Sequence, residues 1–173
     1  QVLKDISKHQ NGIILVTGAT GSGKSTTVAS MLDYINQNFT KNIISFEEPI
    51  EYLHRDKKCI INQKEIPDDV KDYKTALKYV LRQDPDIIFL GELRDQGTIE
   101  AAIKASETGH LVISTLHTIN ASKSISRILD FFPPEKSKSL RFQLAENIRA
   151  IVSQRLLKTL EGGKRVVAEV LIN

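Results

Sequence analysis

With 173 residues, 40% hydrophobic and 26% charged, and only 9 Gly and 5 Pro, the chain is long enough for one domain with a buried core, and collagen-like, low-complexity and wholly disordered classes are excluded. The net charge of +3 is too small to argue for nucleic acid, and the single cysteine, Cys59, excludes an internal disulfide and a multi-cysteine zinc site, which fits a reducing, cytosolic setting. No apolar run approaches the ~20 residues that span a bilayer, so no transmembrane segment is expected, and no basic-then-apolar leader opens the chain.

Apolar and periodic stretches alternate along the sequence. Ile13–Val16 is a short apolar run ending at Gly18 and predicts a buried strand. Lys24 to about Asn36 reads as a helix, with Val28, Met31, Leu32 and Ile35 on one face. Ile43–Phe46 is a second strand and Cys59–Asn62 a third. Asp72 caps a helix whose apolar face is Tyr73, Ala76, Leu77, Val80 and Leu81. Asp84-Pro85-Asp86 turns into the strand Ile87–Leu90; Ile99 to Ser106 is helical and stops near Gly109; Leu111–Leu116 is again a strand. Ile125, Ile128, Leu129 and Phe132 mark a helix broken by Pro133-Pro134, and Leu140, Leu144, Ile148, Ile151 and Val152 mark a longer one. Leu156–Leu160 and Val166–Ile172 flank Glu161-Gly162-Gly163-Lys164 as a closing β-hairpin. Strand–helix alternation predicts an α/β fold, a mainly parallel sheet with helices on both faces. The chain starts almost on a core strand and stops inside one, so it is expected to be a segment of a longer protein. Residues 121–173 carry ten Lys and Arg against five Asp and Glu, and this basic third reads either as solvated helix faces or as a surface for an acidic partner, a neighbouring subunit or a membrane face.

Gly18-Ala19-Thr20-Gly21-Ser22-Gly23-Lys24-Ser25 matches the phosphate-loop pattern G-x-x-x-x-G-K-S/T at every fixed position and lies between a strand and a helix, as the mechanism requires. Its backbone N–H groups and the helix N-terminus cradle phosphate, Lys24 reaches the β- and γ-phosphates, and the Ser25 hydroxyl ligates Mg²⁺. Together with Thr26 these residues form the expected nucleotide-binding loop. Two acidic groups follow strand ends, where ligands of parallel sheets sit. Glu92 comes after Ile87–Leu90 and Gly91, and can hold Mg²⁺ or polarise the attacking water; Glu47, Glu48 and Glu51 surround Pro49 after Ile43–Phe46. Their mutual repulsion calls for a cation. His110 and His117 bracket the strand Leu111–Leu116, and only His117, at its carboxyl end, is placed to sense a γ-phosphate; His9 and His54 read as surface residues.

Four blocks in this order are specific: Gly18–Ser25; Ile44-Ser45-Phe46-Glu47-Glu48-Pro49-Ile50-Glu51-Tyr52; Leu81-Arg82-Gln83-Asp84-Pro85-Asp86 through Gly91-Glu92-Leu93-Arg94-Asp95; and Thr108-Gly109-His110-Leu111 through Thr115-Leu116-His117-Thr118. They resemble the Walker A, Asp box, Walker B and His box of the secretion ATPase superfamily. The tail, Arg127-Ile128-Leu129-Asp130-Phe131-Phe132-Pro133 and Ile151-Val152-Ser153-Gln154-Arg155-Leu156-Leu157, resembles the type IV pilus retraction ATPases, the PilT family. The four-cysteine zinc motif usual in extension and type II secretion ATPases is absent. The resemblance implies a RecA-like P-loop domain over residues 1–173, with an amino-terminal PAS-like domain and the final helices lying outside it. It implies an Mg-dependent ATPase within a homohexameric ring, cytoplasmic and peripheral at the inner face of the cytoplasmic membrane, acting on an inner-membrane pilus platform protein. By matching position Glu51 resembles the family's water-activating acid, Glu92 its Walker B acid near Mg²⁺, and His117 its His-box residue that responds to nucleotide state; Glu48 stands where the common box has aspartate. The rival readings are a pilus-extension or type II secretion motor, a RecA-like ATPase acting on nucleic acid, for which no basic–aromatic loop pattern exists, and a non-hydrolysing nucleotide-binding module, against which Lys24, Glu51 and Glu92 argue.

Overall fold

The apolar runs Ile13–Val16, Ile43–Phe46, Ile87–Leu90 and Leu111–Leu116 are buried and form the centre of a sheet. The computed structural model describes residues 1–160 and 162–173. Among the described residues the strands are β1 (Gly12–Thr17), β2 (Asn42–Glu47), β3 (Ile60–Glu65), β4 (Ile87–Leu90), β5 (Leu111–Leu116), β6 (Ile148–Lys158) and β7 (Lys164–Ile172). They form one seven-stranded sheet in the order β3-β2-β4-β5-β1-β6-β7. Every pairing is parallel except β6 with β7. β1, β4 and β5 are buried along their whole length, which is why they read as unbroken apolar runs.

Helices cover both faces, as the alternation of elements requires. On one side α1 (Val2–Ile6) and α2 (Lys24–Asn38) place Ile6, Val28, Met31, Leu32 and Ile35 in a cluster with Ile14 and Val16 of β1. On the other, α3 (Tyr73–Val80), α4 (Gln96–Glu107), α5 (Ala121–Leu129) and α6 (Ser137–Asn147) pack with Ile13 and Leu15. The two faces of β1 thus serve two cores, as the period of two along a strand dictates. Asp72, Asp95 and Asn120 cap α3, α4 and α5 by accepting the N–H of Thr75, Thr98 and Lys123.

Three expectations change. The long helix expected through Val152 stops at Asn147, and Ile148, Ile151 and Val152 lie on β6, paired in parallel with β1. Their spacing fits a helix, but β-branched side chains suit a strand, and β1 would otherwise leave a row of peptide groups unpaired in the core. The closing hairpin is present, though its first strand starts at Ile148 rather than Leu156 and ends at Lys158. Glu161, in the turn expected between the two strands, lies outside the described residues. β3 begins at Ile60, and Cys59 is instead a buried thiol whose Sγ meets the Phe39 carbonyl at 3.0 Å. The short helix α1 has no signal in the composition or spacing of the sequence.

Candidate functional site

The carboxyl ends of β1, β2, β4 and β5 open onto one cleft of about 500 Å³, the position a parallel α/β sheet reserves for ligands. The loop after β1 forms its floor. Gly21 and Gly23 take φ of 75° and 91°, left-handed backbone that side-chain-bearing residues rarely adopt, and this turns the chain sharply into α2. Lys24 is 8% exposed, and its Nζ donates to the carbonyls of Gly18 at 3.0 Å and Ala19 at 3.2 Å. Burial holds the Lys24 pKa below the usual lysine value, while Glu92 and Glu51 pull it back up. Ser22 Oγ is buried and has no hydrogen-bond partner among the described residues.

The acids reach the same cleft from two other strand ends. After β4, the Gly91 N–H donates to Phe46 O at 2.8 Å and the Thr115 hydroxyl to Gly91 O at 2.6 Å, so Glu92 is aimed by main-chain ties to both neighbouring strands. A Cβ on Gly91 would stand 2.8 Å from the Tyr73 hydroxyl; the glycine is needed there for a close approach. Glu92 Oε1 lies 3.5 Å from His117 Nε2, and its Oε2 accepts from Arg94 Nε at 2.7 Å. From the loop after β2, Glu51 Oε1 accepts the Ser25 hydroxyl at 2.7 Å, and Tyr52 and Thr26 share a hydroxyl hydrogen bond of 2.8 Å. Glu47 is buried and accepts from Ser45 Oγ at 2.8 Å and Gln63 Nε2 at 3.0 Å.

Thr20, Gly21, Gly23, Lys24, Ser25, Thr26, Glu51, Glu92 and His117 all line the cleft. Gly18, Ala19 and Ser22 do not: the first two turn their carbonyls to Lys24, and Ser22 is buried within the loop. His110 is at the far end of β5, bonded to the Ala105 carbonyl and Thr108. Sequence reasoning assigned no role to Arg94, Tyr73, His54 or Leu156, which also form the walls. Arg94 is visible as the cation two residues after Glu92, whereas the spacing of Tyr73 marks it only as core. Burial raises the Tyr73 phenol to about 12 and lowers the His54 imidazole.

The donor set suits one kind of metal. Among the described residues no group of three or more His, Cys, Asp and Glu could cage an ion. Mg²⁺ needs no such cage, because it keeps several waters and binds through one or two carboxylates and phosphate oxygens. Ser25 Oγ, Glu92 and the buried Lys24 ammonium, which all line the cleft, together fit a metal-bound polyphosphate.

The profile of the family described as Type II/IV secretion system protein matches residues 1–168. The type IV pilus retraction ATPase PilT of Pseudomonas aeruginosa is 47% identical over 99% of this chain and 50% of its own. The twitching motility protein of Neisseria gonorrhoeae is 46% identical over 99% of this chain and 46% of its own. The crystal structure of the pilus retraction motor PilT with bound ADP superposes with a TM-score of 0.95 at 50% identity, covering 99% of this chain and 50% of that one. The RecA-like P-loop fold is therefore shown, and the chain spans about half the length of the curated relatives it matches.

Proposed function

The chain belongs to the type II/IV secretion system protein family, and from that premise we propose that it is the ATP-hydrolysing domain of a hexameric motor that retracts type IV pili. The observation that carries the reading is the convergence of Lys24, Ser25, Glu51, Glu92 and His117 from four strand ends on one cleft. Residues 1–173 form the RecA-like domain; a PAS-like domain and closing helices belong to the rest of the ring subunit. The ring works in the cytoplasm against the inner membrane, where it turns the pilus platform protein. Among the described residues no helix is long and apolar enough to cross a membrane.

Lys24 balances the phosphate charge, and the loop N–H groups and the α2 N-terminus orient it. Ser25 and Glu92 would hold Mg²⁺, which supplies neutralisation of the β- and γ-phosphate oxygens. Glu51 takes the proton of the water that attacks the γ-phosphorus in line; the bond to the bridging oxygen breaks and ADP leaves. His117, beside Glu92, responds to the presence of the γ-phosphate.

In the full-length protein Lys24→Ala removes nucleotide binding. Glu92→Gln keeps binding and lowers turnover by about 10²-fold or more. The same substitution at Glu51 lowers turnover without moving the Mg²⁺ dependence, whereas Glu92→Gln shifts it. Hydrolysis near wild type in the Lys24 variant defeats the site. Deletion of the gene leaves long or numerous fibres and no twitching; loss of all fibres instead identifies an extension motor.

A further inference from the structure

Arg94 is a cationic side chain in the cleft that the reading above does not use. Its Nε donates to Glu92 Oε2 at 2.7 Å and its Nη1 to Glu48 Oε2 at 2.6 Å. One guanidinium therefore ties the loop after β4 to the loop after β2. The four cleft acids divide by the kind of partner they have. Glu47 and Glu51 accept from neutral groups, the Ser45 hydroxyl and Gln63 amide for one and the Ser25 hydroxyl for the other. Glu48 and Glu92 share a full cation through short, charge-assisted bonds, the strong kind. The second oxygen of Glu92 faces His117 at 3.5 Å. One oxygen of the acid suited to a metal is thus already bonded within the chain, to Arg94. A dication approaching Glu92 would meet a carboxylate whose charge a guanidinium already offsets at 2.7 Å.

We propose that Arg94 is a positioning residue that acts as an internal counter-ion: it holds Glu48 and Glu92 together and gives up Glu92 when a nucleotide-bound divalent cation arrives. The proposal rests on the nucleotide-site reading above. Glu48 lies three residues before Glu51, so the release of Arg94 also loosens the segment that carries Glu51. Arrival of the metal is in this way coupled to the freedom of the acid loop. The side chains of Arg94 and Glu48 are 49% and 40% exposed, so the competition is softened by solvent and weakens with salt.

The test is the Mg²⁺ concentration at which a fluorescent ADP analogue binds half-maximally to the full-length protein. In Arg94→Gln the competing cation is gone, and that midpoint falls about three- to tenfold, while binding in a chelator weakens because the acids face the phosphates with one cation fewer. Arg94→Lys keeps the charge without the fork that reaches both acids, and its midpoint falls between those of the wild type and Arg94→Gln. In Glu48→Gln the guanidinium has only Glu92 to serve, and the midpoint moves upward; this variant also covers the case in which Arg94→Gln fails to fold. A midpoint unchanged or raised in folded Arg94→Gln, or unmoved in Glu48→Gln, overturns the proposal. Wild-type protein that binds no nucleotide at any Mg²⁺ concentration defeats the functional reading itself, a result distinct from either.

Discussion

Tyr73 shows how a side chain of the core helix face becomes part of the site. It is 8% exposed, sits at the first turn of α3, and brings its hydroxyl against Gly91. Burial is the main cause of its raised pKa, about 12, with Arg94 opposing and Glu48, Glu92 and Glu47 adding to it. In the unfolded chain the phenol ionises near its ordinary value of about 10. The native state keeps it neutral, so this contribution to stability is complete below pH 10 and is lost as pH rises toward 12. Absorbance at 295 nm will show one of the four tyrosines titrating late, and Tyr73→Phe will remove that component together with its share of the alkaline loss of melting temperature. A native titration in which all the phenols ionise together near pH 10 rules this out.

At the scale of an element, Asn36 fastens the segment between the acid loop and β3 onto α2. The side chain is fully buried: Nδ2 donates to the Arg55 carbonyl at 2.8 Å, and Oδ1 accepts the N–H of Lys57 at 3.0 Å and of Cys59 at 3.2 Å. Three peptide groups of an irregular stretch are satisfied by one amide, which is how a polar side chain comes to stand in an apolar helix face. Asn36→Ala leaves all three without their partner and destabilises the protein by about 3 kcal/mol. Urea unfolding measures it. A loss below about 1 kcal/mol means that water replaces the amide.

For the whole molecule, the parallel sheet brings four strand ends to one cleft, so ligand binding and folding are linked. A nucleotide at a hundred times its Kd stabilises the native state by about 2.7 kcal/mol. For a chain of this length that is a rise in melting temperature of about 5–10 °C. The rise is larger with Mg²⁺ and shrinks in a chelator, since the acids of the cleft then face the phosphates with Lys24 and Arg94 as the nearby cations. Lys24→Ala should show no rise with or without the metal. A rise that survives in this variant locates the nucleotide elsewhere.

The features legible in the residues alone are local ones. The loop at Gly18–Ser25, the capping acid Asp72, the run Ile87–Leu90 and the strand between His110 and His117 each carry their meaning within a few residues, because turn geometry, capping and burial act at that range. The choice of His117 over His110 follows from strand direction alone. Tertiary structure decided what depends on partners far along the chain. Ile148, Ile151 and Val152 satisfy a helical spacing, and only the open edge of β1 makes them a strand. Arg94 has no meaning until the sheet sets the β2 and β4 ends side by side and Glu48 comes within 2.6 Å of it. Tyr73 is one more apolar-face residue until α3 packs its hydroxyl against Gly91. Periodicity records which side of an element is buried; it does not record what stands on the other side, and that contact sets the charge and hydrogen bonding of the site.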